Sequence, residues 1–196
     1  MAIISEKDNL TKGAADIEFQ IEQATQTLER NIGFITTCDN KASVVLTAIG
    51  VLLTLIFTND GLETINQILT SCIKEKTFCS ALYLIVFIIV IVAFLFGLYN
   101  LIGVLVARTN MKANGTEKID SQIFFSGIAK NANYNIYKEN FYKLSRQNFL
   151  DQLISEIYIN AIIAERKYQK YNWGLRLSLV GFILFVSLIL IGMYIY

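Results

Sequence analysis

The run Asp39-Asn40-Lys41 puts a carboxylate, an amide and an ammonium side by side, immediately before an uncharged apolar stretch. Two readings are open. Asp39 can cap a helix by accepting the free backbone N–H groups of Lys41 or Ala42, while Lys41 snorkels its ammonium to a headgroup layer. Alternatively, the charges belong to a working site at the mouth of that stretch. Elsewhere, reactive chemistry is hard to assemble. The chain has no His and three Cys, which removes His-dependent catalytic triads and the usual zinc ligand sets. Its carboxylates are scattered singly along polar faces, and neither a GxGxxG nor a Walker pattern occurs. With no nucleophile–base spacing in view, the chain is not expected to be an enzyme, nor to hold a metal or cofactor.

The elements that must position these charges are membrane helices. Of the 196 residues, 54% are hydrophobic and 17% charged, against about 25% charged in a soluble domain. The mean hydropathy is +0.48. A formal net charge of +1 gives no basic footprint for nucleic acid, so no nucleic-acid partner is expected. There is no Pro, so nothing breaks a long helix, and the N-terminus lacks the basic and apolar regions of a cleavable signal peptide. Three stretches approach the roughly 20 apolar residues that cross a bilayer: 42–58, 81–107 and 175–196. Tyr194 and Tyr196 suit an interface, so the chain is expected to stop as it leaves the bilayer. The segments 1–41 and 108–174, with Arg176, carry fifteen basic residues against Lys74 and Lys76 in the 59–80 loop. The positive-inside rule therefore predicts a cytosolic N-terminus, a cytosolic central region, a short outer loop and an outward C-terminus. In that loop Cys72 and Cys79 are placed either to form a disulfide or to remain thiols. The Asn114-Gly115-Thr116 sequon falls on the cytosolic side and is discounted.

The predicted fold is all-α: three transmembrane helices and a cytosolic helical bundle. Ile17, Ile21, Ala24, Leu28, Ile32 and Ile35 recur at spacings of three and four, giving an amphipathic helix over about residues 14–37. After a polar linker holding Asn-Gly, residues 122–171 favour helix in two pieces. The first, "FFSGIAKNANYNIYKENFYKLS", is aromatic-rich. The second lines Leu150, Leu153, Ile154, Ile157, Ala161, Ala164 and Tyr168 on one face and runs into the third span past Gly174. These stripes must be buried against each other or against another copy. In the first span Ser43, Thr47, Gly50, Thr54 and Thr58 share a face, which suits either close helix packing or a pore lining. Gly97, Gly103, Gly181 and Gly192 mark the other spans. No charge lies deep in any span, which disfavours a coupled carrier.

"NIGFITTCDNKASVVLTAIGVLLTLIF", with Asp-x-Lys-Ala-Ser entering the first span, resembles the N-terminal signature of the Pycsar transmembrane effector family. "SQIFFSGIAKNANYNIYKENFYKLS" followed by "LDQLISEIYINAIIAERKYQKYNWGLRLSLVGFILF" resembles its C-terminal half. The resemblance covers about residues 25–190, departing at Cys38, where a small residue such as Ala is expected, and at Ser126-Gly127, where Gly-Asp is common. It implies a bacterial antiphage effector of the inner membrane, in which a partner pyrimidine cyclase makes cCMP or cUMP and the effector responds by impairing the bilayer. Such a ligand carries one negative charge and a base, so its site should offer Lys or Arg with an aromatic ring. The positions matching the family are Asp39, Lys41, Phe124, Phe125, Lys167 and Tyr168, with Arg146 and Arg166 as weaker candidates. A homo-oligomer is expected. The alternatives are a structural or partner-binding membrane protein, a constitutive small channel, or an effector with a different trigger.

Overall fold

The computed structural model describes residues 2–75, 77–106, 121–131 and 133–195. The polar linker and its sequon lie outside the described residues. Six helices follow in order: α1 (Ala2–Ile56), α2 (Asn59–Glu75), α3 (Phe78–Leu105), α4 (Phe125–Ile128), α5 (Tyr134–Tyr142) and α6 (Arg146–Ile195). Among the described residues there is no strand, and α1, α3 and α6 are each long and apolar enough to cross a membrane. The protein is an all-helical membrane protein. With no Pro to interrupt them, the polar and apolar parts of α1 form one helix of 55 residues, and those of α6 one of 50. The chain divides into two compact units, Met1–Thr36 with Ala107–Glu165, and Thr37–Val106 with Arg166–Tyr196; α1 and α6 contribute to both.

In the second unit, Cys38, Ala42 and Ile49 of α1 are buried with Phe94, Leu101 and Val104 of α3. Tyr168, Tyr171 and Phe182 of α6 pack against this cluster. A second cluster joins Phe87 and Val90 of α3 to Phe185 of α6, flanked by Ile65 and Leu69 of α2. Lipid tails are as apolar as these side chains, so association within a bilayer depends on close fit. Glycines supply it: a Cβ on Gly97 would stand 2.5 Å from the Ser178 backbone nitrogen, and one on Gly181 would stand 2.9 Å from the Phe94 Cβ. Tyr83 donates to the Leu188 carbonyl at 2.8 Å, giving its phenol a partner across to α6.

Two points that the sequence leaves open are visible here. The face of Ser43, Thr47, Gly50 and Thr54 is exposed, with open space beside Gly50, so it is not used for packing within the chain. The buried face is instead the one 38-42-49, where Cys, Ala and Ile recur at four and seven. Thr58, from the same stripe, leaves α1 altogether: its hydroxyl accepts the Gly61 N–H at 3.2 Å at the start of α2. The second is the conformation of segment 59–80, most of which is this 17-residue helix, buried at Ile68 and Cys72. Cys72 is buried and Cys79 exposed, and both are free thiols.

In the first unit, Ala24 of α1 is buried with Leu150 and Leu153 of α6, and Ile21, Leu28, Ile123, Phe149 and Ile157 close around them. Ser145 starts α6, its hydroxyl accepting the Asn148 N–H at 3.1 Å. The aromatic-rich piece is not one helix. It divides into α4 and α5, the second started by Asn133, whose side chain accepts the Asn135 N–H at 2.8 Å.

Candidate functional site

Asp39 follows Cys38 on the inner face of α1, and Lys167 follows Ala164 by three residues on the inner face of α6. Both belong to the second unit. Their side chains form an ion pair and hydrogen bond at 2.5 Å between Nζ and Oδ1. The Lys167 side chain is 6% exposed and that of Asp39 33%. An ammonium so thoroughly desolvated is costly unless it is paired, and Asp39 provides the pairing. The capping reading fails for a simple reason: α1 does not begin at Asp39, so no free N–H groups are there to accept. The carboxylate is spent across the unit instead.

The surroundings set the chemistry of this pair. Cys38 is fully buried, and burial first, then the Asp39 carboxylate, push its thiol up, so it stays a protonated, unreactive packing group. Tyr168 is half-buried against the α1–α3 cluster. Lys41 is exposed. One turn beyond Lys167, Lys170 lies along α3, its ammonium 3.1 Å from where a Cβ on Gly103 would be.

Of the six sequence-derived candidates, Asp39 and Lys167 are therefore in direct contact, and Tyr168 packs beside the same cluster. Phe124 and Phe125 belong to the first unit, where their rings lie 4.6 Å apart and Phe125 is exposed. Arg146 pairs with Glu18 at 3.0 Å on an exposed surface, and Arg166 is exposed.

The first unit holds a second polar cluster that residue type did not reveal. Gln152 and Glu156, one turn apart on α6, are buried at 7% and 6% exposure. Gln152 accepts the Gln122 N–H at 2.8 Å, and the Tyr137 hydroxyl donates to the Gln122 carbonyl at 3.1 Å. Glu156 is bonded to the Ser121 side chain, yet burial outweighs that bond and raises its carboxyl above the ordinary range. Asn31 of α1 donates to the Ile157 carbonyl at 3.2 Å. A signal did exist: extending the three–four spacing back from Lys167 and Ala164 lands on Asn160, Glu156 and Gln152. A stripe chosen by apolarity picks Ile154 instead, which is 53% exposed.

A buried carboxylate–ammonium pair does no bond chemistry alone; what it supplies is a desolvated positive charge held in place by one carboxylate. The family model of the Pycsar effector protein domain matches residues 23–193 of the chain. Among curated proteins, the chain is similar to the Pycsar effector protein GmPycTM of Gulbenkiania mobilis, with 27% identity over 190 residues, 89% of this chain and 93% of the relative. No solved structure matches the chain.

Proposed function

The chain belongs to the Pycsar effector family, whose place is in antiphage defence, and from that premise we propose that it senses a cyclic pyrimidine mononucleotide and then disrupts the inner membrane. The ligand is cCMP or cUMP, made by a pyrimidine cyclase, and the sensing region faces the cytosol. The Asp39–Lys167 pair is the observation that carries this reading. It lies one turn before the apolar part of α1 and about two turns before that of α6. The ligand phosphate competes with Asp39 for Lys167, while Lys41 and Tyr168 add charge and an aromatic surface. In the first unit, Phe125 presents an exposed ring.

A ligand moves a two-state equilibrium only as far as its affinities for the two states differ. Taking a resting population of about 1:99 to 99:1 needs roughly 5.5 kcal/mol of differential binding. One phosphate at one ammonium, contributing about 1.5–3 kcal/mol, falls short of that, so several sites acting together in a homo-oligomer fit the requirement. The unpacked face of Ser43, Thr47, Gly50 and Thr54 is available to such an assembly.

The test is membrane potential in bacterial cells carrying the chain, with and without an active pyrimidine cyclase. Depolarisation and phage protection that require both proteins support the proposal. Depolarisation by the chain alone favours a constitutive channel, and no depolarisation in either case favours a structural or partner-binding protein.

A further inference from the structure

The second unit holds Lys41, Lys167 and Lys170 on the same stretches of α1 and α6 as the Asp39–Lys167 pair. Lys167 takes the carboxylate, Lys41 is exposed, and Lys170 is half-buried with no hydrogen bond or ion pair among the described residues. Lys170 is placed with some care. Its stem runs along α3 at Gly103, where a Cβ would stand 3.1 Å from Nζ and 3.7 Å from Cδ, so the absence of a side chain at 103 leaves the ammonium its position. Three donors on a half-buried ammonium have to find acceptors outside the protein. Lys167 and Lys170 are three residues apart, hence neighbours on one face of α6. Together they offer two ammonium groups against a single carboxylate, which leaves one positive charge for a singly charged anion.

We propose that Lys170, seated on Gly103, and Lys167, held by Asp39, form a subsite for a phosphodiester monoanion. This deepens the reading above and rests on it only for the identity of one ligand. A cyclic nucleotide carries a phosphodiester monoanion, and so does a phosphatidylglycerol headgroup. Lys170 receives the phosphate first because it has no competing carboxylate, and Lys167 then shares its donors between the phosphate and Asp39. Gly103 is a positioning residue, because a methyl there crowds the ammonium.

The test uses the full-length chain in an uncharged detergent, with thermal unfolding read against added cCMP, cUMP or phosphatidylglycerol, and phosphatidylcholine as the neutral control. Lys170→Met keeps the apolar stem and removes the charge, Lys170→Arg restores charge, and Gly103→Ala crowds the ammonium without altering any charge. The expected result is that Lys170→Met weakens the apparent affinity for the stabilising phosphodiester at least tenfold, that Lys170→Arg recovers most of it, and that Gly103→Ala falls between. Unfolding temperatures without ligand, compared across the variants, separate lost binding from lost folding. Should Lys170→Met fold poorly, Gly103→Ala alone decides the point. A Lys170-dependent response to phosphatidylglycerol and none to nucleotide keeps the subsite, assigns it to the headgroup and removes nucleotide sensing. Nucleotide stabilisation that ignores Lys170 and Gly103 keeps sensing and overturns the subsite. A wild-type chain that responds to no phosphodiester overturns both.

Discussion

The two units join the same two helices by different means. In the second, α1 and α6 meet α3 with glycine, serine and alanine at the closest approaches, and the Asp39–Lys167 ion pair and the Tyr83–Leu188 hydrogen bond are among the polar contacts. In the first, α1 meets α6 through Ala24, Leu150 and Leu153, and the buried polar side chains among the described residues are the Gln152 amide and the Glu156 carboxyl. Where lipid removes the hydrophobic driving force, fit between backbones must do what burial does in water. Mutations should therefore have different characters in the two regions: steric and ionic in the second unit, and dependent on pH and hydrogen bonding in the first.

The largest expected effect comes from Asp39→Ala. It leaves a buried ammonium unpaired and should cost on the order of 3 kcal/mol, read as a fall in unfolding temperature of the detergent-solubilised chain. Lys167→Met should cost less, because the carboxylate it leaves behind is a third exposed, and Asp39→Asn combined with Lys167→Met should recover part of the loss. Equal costs for the two single variants would show that the pair is not buried on the Lys167 side. Next is a contrast between glycines. Gly97→Ala drives a methyl into the α6 backbone and should cost about 1–3 kcal/mol, whereas Gly50→Ala meets open space and should be neutral or stabilising by up to about 1 kcal/mol. If Gly50→Ala instead abolishes the cyclase-dependent depolarisation proposed above while leaving thermal stability intact, the exposed face is needed between copies.

In the first unit, Glu156 holds its proton more tightly when folded than when unfolded, because burial raises its carboxyl. Stability from this group is thus present below the unfolded pKa and is lost as pH rises through the higher folded value. Glu156→Gln should flatten that decline and leave the chain more stable at neutral pH, measured as unfolding temperature against pH. The smallest effect is expected from Arg146→Ala. Its partner Glu18 and Arg146 itself are both mostly exposed, so the loss should not exceed about 1 kcal/mol and should shrink with added salt.

Much of this arrangement was legible in the sequence. Absence of Pro and the run of apolar residues predict the uninterrupted α6, and Gly174 is absorbed because its missing side chain makes room for Leu101. The stripe Ile21, Ala24, Leu28 likewise predicts its own buried face. Less legible was which face of the first span turns inward. Small size suits a close contact, but it does not say with what, and Ser43, Thr47 and Gly50 are small residues left unpacked. Asp39 and Lys167 were both singled out, yet their union joins residues 128 apart, which local spacing cannot encode. Glu156 and Gln152 escaped because a polar residue on a stripe reads as a solvated one until its register is followed from a neighbour already known to be buried.

The most direct measurement is dye release from liposomes containing the purified chain, with cCMP, cUMP or a purine cyclic nucleotide added to the Lys167-bearing side. The account predicts release with at least one cyclic pyrimidine nucleotide, none with the purine, and loss of the response in Asp39→Ala chains that still insert. Release that is the same with every nucleotide and with none would contradict it.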